Sequence, residues 1–166
     1  MMAEDTIEYG DLSKRYQQST FAGHFVEVGV DAMTGETRVR RMLGSFAAGR
    51  VLNAKTARSQ CLGGMTFGIG TALTEDLIHD TRTGKLVNHD LGEYHVPANA
   101  DVPQMDVHFV DERDIHANPI HAKGIGELGI SGAGAAVANA VYNATGIRVR
   151  EFPITLDKLL DQLPAV

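Results

Sequence analysis

The sequence predicts an α+β fold, a mixed or antiparallel sheet with packed helices, on three observations. Residues 21–30 (FAGHFVEVGV) alternate at period two with β-branched side chains. Residues 54–75 carry apolar side chains at helical spacing behind Asn53, a good helix cap. An Ala-rich run, residues 132–145, ends at Gly146, a natural left-handed stop.

The elements follow in order. Residues 1–15 are polar and read as a flexible arm; residues 16–166 read as one unit, with no internal repeat or dividing linker. In the strand 21–30, His24, Val26, Val28 and Val30 share one face and Phe21, Phe25 and Glu27 the other, so both faces are expected to be partly covered. Residues 31–35 (DAMTG) make a hairpin turn into a second strand, 36–43, with Thr37, Val39, Arg41 and Leu43 on one face. In the helix that follows, Cys61, Met65, Ile69, Ala72 and Leu73 form the buried stripe. Gly63, Gly64, Gly68 and Gly70 interrupt it, each at a cost of roughly 1 kcal/mol relative to Ala. Gly64 and Gly68 leave a bare backbone surface for close approach of another element; a break near Gly63 or Gly70 is the alternative. Residues 81–85 form a turn, 87–96 are irregular, 105–110 alternate as a strand and 111–119 form a loop. Ser131 is the expected cap of the Ala-rich helix, with Val137, Val141 and Ala144 buried, and a last short helix spans 155–163.

Composition narrows the function. With 15 basic and 21 acidic side chains the net charge is -6, which argues against a nucleic-acid partner. No apolar stretch is long enough to span a membrane and the first residues do not form a secretory signal. A cytoplasmic location is expected, or a periplasmic one if a signal-bearing partner carries the chain out. The single Cys excludes a disulfide framework, and Cys61 reads as core. Seven histidines form neither HExxH nor a zinc spacing, so no metal ligands are assigned; His116 and His121, flanking Asn118-Pro119, read as surface residues.

Two segments carry chemistry. In Lys123-Gly124-Ile125-Gly126-Glu127, two glycines before a helix can turn backbone N–H groups toward a phosphate or oxyanion. Glu127 is then a base, a metal-site neighbour or a charge placed favourably by the helix dipole. The order of a phosphate-binding P-loop is absent, as is the third Gly of a dinucleotide fingerprint. In Gly49-Arg50-Val51-Leu52-Asn53, with Gln60 further on, Arg50 can meet a phosphate bidentately. Taken alone, a surface Arg beside an ordinary cap is the plainer reading.

Together these motifs resemble a known family. Lys123 to Glu127, the run Ala144-Thr145-Gly146-Ile147-Arg148-Val149-Arg150 and the tail Pro153-Ile154-Thr155-Leu156-Asp157-Lys158 resemble the C-terminal part of the molybdopterin-binding large subunits of the xanthine dehydrogenase and aldehyde oxidase enzymes. Phe25-Val26-Glu27-Val28, Gly49-Arg50 with Asn53, and the Gly64–Glu75 pattern agree, and the wording is closest to bacterial periplasmic-type aldehyde oxidoreductases.

The resemblance implies an oxidoreductase segment that turns aldehydes into carboxylic acids with water-derived oxygen. Glu127 matches the general base beside molybdenum, and Lys123, Gly124, Ile125 and Gly126 match backbone lying on the cofactor. Arg50, Val51, Leu52, Asn53, Ala54, Lys55 and Thr56, with Gln60, match its nucleotide and phosphate contact. The implied cofactor is molybdopterin cytosine dinucleotide carrying molybdenum, with iron–sulfur clusters and FAD on partner subunits. The implied partners are the rest of the large subunit, the iron–sulfur subunit and the FAD subunit. The isolated chain is expected to be inactive, to lack the cofactor and to expose a face suited to homodimerisation. Many relatives carry Gln where this chain has Phe67, and Asp-Val where it has Ala47-Ala48. A xanthine or N-heterocycle hydroxylase segment and a non-catalytic folded remnant are the alternatives.

Overall fold

The computed structural model describes residues 14–164, so the predicted arm lies almost wholly outside the described residues. Strand β1 (Phe21–Val30) and strand β2 (Thr37–Ala47) form an antiparallel hairpin. Its turn is closed by Asp31, whose carboxylate accepts from the amides of Met33 and Thr34 at 2.9 and 2.8 Å. Strand β3 (Gln104–Phe109) runs parallel to β2, giving a mixed sheet of order β1-β2-β3. β2 is longer than alternation suggested because residues 44–46 pair on both sides, with β1 and with β3, and Ala47 pairs with β1.

The faces of β2 correct the sequence reading. Glu27 pairs with Arg41 but Val28 pairs with Val39, so a bulge leaves Arg40 over. One extra residue reverses the alternation beyond it. Val39, Met42 and Phe46 are therefore buried, while Arg41 and Leu43 point outward. β1 keeps the predicted inner face of His24, Val26, Val28 and Val30, but its outer face is open, with Phe21 66% and Phe25 64% exposed.

Helix α1 (Ala54–Leu73) is unbroken. Asn53 caps it as predicted, its side-chain oxygen accepting from Lys55 N and Thr56 N, both at 3.1 Å. The glycines explain themselves by proximity. A Cβ on Gly64 would stand 2.6 Å from Ile130 N and 2.7 Å from Gly129 C, and one on Gly68 would collide with Ala133. Gly63 alone in this run has open space around it. Met65, Ile69, Ala72 and Cys61 complete the core with the inner sheet face.

Helix α2 (Ala133–Thr145) packs on α1 and β1. Its cap is Gly132, at φ 87, and no side chain caps it. Ser131 is not the cap because the preceding turn directs its amide to Glu127 O, leaving a left-handed position that Gly fills. Ala133, Val137 and Val141 form the buried stripe, each four residues on, and Ala144 falls outside it, exposed. Gly146 ends the helix at φ 74 with its N–H on Tyr142 O, as expected. The last helix, α3 (Asp157–Leu160), is shorter than predicted and anchors Leu159 in a second cluster with Val141, Ile147 and Ile154.

Candidate functional site

The two segments singled out in the sequence meet in space. Gly49 pairs with Ala122, Arg50 N donates to His121 O at 2.8 Å, and Lys123 N donates to Ala48 O at 3.0 Å. Gly49, at φ 65, is the residue this crossing demands, since a Cβ there would strike the His121 carbonyl. Beyond the crossing the chains diverge and enclose a cleft of about 450 Å³. Arg50, Val51, Leu52, Asn53, Thr56 and Gln60 line one wall, and Lys123, Ile125 and Gly126 the other. Ala54, Lys55 and Gly124 are exposed in the same segments without lining the cleft.

The backbone of the second wall is bare. A Cβ on Gly126, in this wall, or on Gly124 beside it would meet nothing within 4 Å, so both positions present open backbone. Gln60 Nε2 donates to Gly126 O at 2.6 Å and fixes this wall to α1. At the N-terminus of α1, the Asn53 carboxamide already accepts from two amides, and Arg50 is exposed beside the cleft it lines.

Lys123 departs from expectation in its side chain. Its side chain is only 3% exposed, and the ammonium lies 2.7 Å from Glu112 Oε1 and 3.5 Å from Asp114 Oδ2, so it faces carboxylates rather than an incoming phosphate. Glu112 also accepts from Gly49 N at 3.2 Å. The Lys123 hydrogen bond, assisted by the Gly49 amide, holds the Glu112 carboxyl below its ordinary value. Asp114 is lowered too, first by the His116 amide and then by Lys123.

Glu127 follows Gly126 in a turn and is exposed, outside the cleft lining. α2 begins only at Ala133, so the expected placement of Glu127 at a helix start gives way to a turn. That turn is held on both sides: Gln60 takes Gly126, and the His24 ring shares a hydrogen bond with Gly129 O at 3.0 Å. Burial lowers the His24 pKa. Buried Leu128 and the contact of Gly129 with Cys61 complete the anchoring.

Sequence reading missed Glu112, Asp114, His24 and Asn118. Asn118 brackets Ala122, accepting from its N–H at 3.1 Å and donating to its carbonyl at 2.6 Å. The run Asp111-Glu112-Arg113-Asp114 was a visible signal, but nothing in spacing tied it to Lys123. His116 stacks on Tyr16 with ring centroids 4.3 Å apart, and His121 reaches Asp114 O at 3.2 Å; neither lines the cleft.

A model of the molybdopterin cofactor-binding domain matches residues 4–103. The molybdenum-binding subunit PaoC of an Escherichia coli aldehyde oxidoreductase is 64% identical over 166 residues, covering 100% of this chain and 23% of that subunit. The putative xanthine dehydrogenase molybdenum-binding subunit XdhA of Escherichia coli is 34% identical over 142 residues, covering 86% of this chain and 19% of that subunit. Among solved structures, the aldehyde oxidoreductase of Desulfovibrio gigas superposes with a TM-score of 0.78 at 31% identity, covering 88% of this chain and 16% of the other. The chain thus spans about a quarter or less of the length of these relatives.

Proposed function

The chain belongs to the molybdopterin cofactor-binding domain family, and on that premise we propose that it forms one side of the cofactor site of a molybdenum hydroxylase that oxidises aldehydes. The observation that carries this reading is the cleft itself. Two segments distant in sequence converge, one presenting Arg50 and the start of α1, the other presenting bare backbone at Gly124 and Gly126. A flat, phosphate-bearing group fits such a donor set, with backbone approach on one side and a bidentate cation on the other.

In this reading Arg50, with Lys55, Thr56 and Gln60 near it, holds the phosphate and nucleotide end of molybdopterin cytosine dinucleotide. Gly124, Ile125 and Gly126 lie along its length. When bound, the group supplies a molybdenum centre that withdraws two electrons from the aldehyde carbon while water supplies the new oxygen. Glu127, next along the chain from the bare wall, acts as the general base and takes up the proton at its carboxylate. The rest of a large subunit, an iron–sulfur subunit and an FAD subunit complete the site and carry the electrons away. Greater identity to an aldehyde oxidoreductase subunit than to a xanthine dehydrogenase subunit supports aldehydes over heterocycles.

The test is Glu127→Gln in the assembled enzyme. Molybdenum and cytosine nucleotide content is expected to stay at the wild-type level while aldehyde oxidation is nearly abolished. Wild-type turnover in the variant would remove Glu127 from the reaction. A wild-type assembly without a pterin dinucleotide would remove the cofactor reading.

A further inference from the structure

We propose that Glu112 is a positioning residue for this cleft, its carboxylate setting the separation of the two walls with the Lys123 ammonium as its counter-charge. The proposal rests on the cofactor reading above, and it reassigns Lys123 from the ligand to the wall.

The geometry is specific. Glu112 lies just beyond β3, on neither wall. One of its oxygens accepts from Gly49 N, at the base of the first wall, and the other from Lys123 Nζ, at the base of the second. The two contacts flank the pairing of Gly49 with Ala122, where the walls cross. Arg50 follows Gly49 directly, and the bare backbone begins at Gly124, directly after Lys123. A shift of this carboxylate therefore turns the phosphate contact and the backbone contact relative to each other.

The Lys123 side chain is 3% exposed, with Glu112 and Asp114 as its counter-charges. An ammonium buried to that degree needs its carboxylates, and drawing it out toward a phosphate would leave them unbalanced. Two donors converge on Glu112, which an ionised carboxylate satisfies with its two oxygens. An amide has only one oxygen. Glu112→Gln keeps size and shape but faces one of the two donors with its own NH2.

The experiment uses the assembled enzyme for cofactor content and the same protein stripped of cofactor for amide exchange. In Glu112→Gln, cytosine nucleotide retention is expected to weaken roughly 10- to 100-fold, the scale seen when groups orienting a ligand-holding residue are removed. The amides of Gly49, Arg50 and Lys123 are expected to exchange at least about tenfold faster, while those of the β1–β2 hairpin hold their rate, which a general loss of stability would not do. Lys123→Met should act alike, and the double variant should lose no more than either single one. If Glu112→Gln does not accumulate folded, Lys123→Met carries the same readings. Unchanged exchange at these amides, full cofactor retention, or losses that add in the double variant would overturn the proposal. Absence of the nucleotide from the wild-type enzyme would instead overturn the cofactor reading, with the exchange arm still judging Glu112.

Discussion

The Gln60 side chain donates to the Gly126 carbonyl at 2.6 Å, joining helix α1 to the bare wall of the cleft across 66 residues of sequence. The amide nitrogen that sequence reading offered to a ligand thus has a backbone partner. Gln60→Ala is expected to cost about 0.5–1.5 kcal/mol in the assembled protein, the net value of one such bond. Gln60→Glu should cost more, because a carboxylate then opposes a carbonyl. Chemical denaturation of the two variants gives the order, and a Glu variant as stable as wild type would contradict the contact.

Two adjacent glycines of α1 should respond in opposite directions. A methyl on Gly64 meets the backbone of Gly129 and Ile130 at 2.6 to 2.8 Å, which cannot move aside as a side chain would. Gly64→Ala is expected to lower stability by about 1–3 kcal/mol. A methyl on Gly63 meets nothing within 4 Å, and Gly63→Ala should raise the stability of the cofactor-free protein by up to about 1 kcal/mol through helix propensity. Equal melting temperatures for the pair would show that α1 does not rest on the 129–130 backbone.

Acid should loosen the crossing of the walls. The Glu112 carboxyl is held below its ordinary value of 4.5 by the Lys123 hydrogen bond, and Asp114 below 3.8 by the His116 amide. A depressed folded pKa gives stability that is present above the unfolded value and disappears as pH falls through the folded one. Unfolding followed from pH 7 downward should therefore hold level to about pH 5 and decline below it. Glu112→Gln should decline less steeply over that acid range, and parallel curves would deny Glu112 its ionised partner.

Cys61 offers a probe of opening. The thiol is fully buried against the inner sheet face, and burial raises its pKa, which suppresses the thiolate. Iodoacetamide at pH 8 should leave Cys61 unmodified in the native protein and label it on unfolding in urea. Rapid labelling without denaturant would place α1 away from the sheet.

Much of the frame was legible because local chemistry wrote it. Period two marked β1, Asn53 marked the start of α1, and Gly146 marked the end of α2. Long-range geometry left weaker traces. The bulge beside Arg40 turns Met42 inward in place of Leu43, and no residue type there announces it. Ser131 had the right chemistry for a cap, but the turn through Glu127 placed Gly132 in that role. In the site, residues 50–56 with Gln60 and residues 123–126 were identified separately, whereas their meeting depends on a crossing at Gly49 and Ala122. The pairing of Lys123 with Glu112 joins two irregular segments, where no periodicity relates one residue to the other.

The parallel pairing of β2 with β3 also imposes an order in time. β1 and β2 close through a short reversal, residues 31–36, and can form early from local contacts. β3 cannot pair until the whole connection from Ala48 to Pro103, helix α1 included, has folded back upon the sheet. Glu112 and Lys123 come later still along the chain. The cleft is therefore a late product of folding, and pulse-labelled exchange should protect the Phe25 and Leu43 amides, which face each other across the hairpin, before that of Lys123.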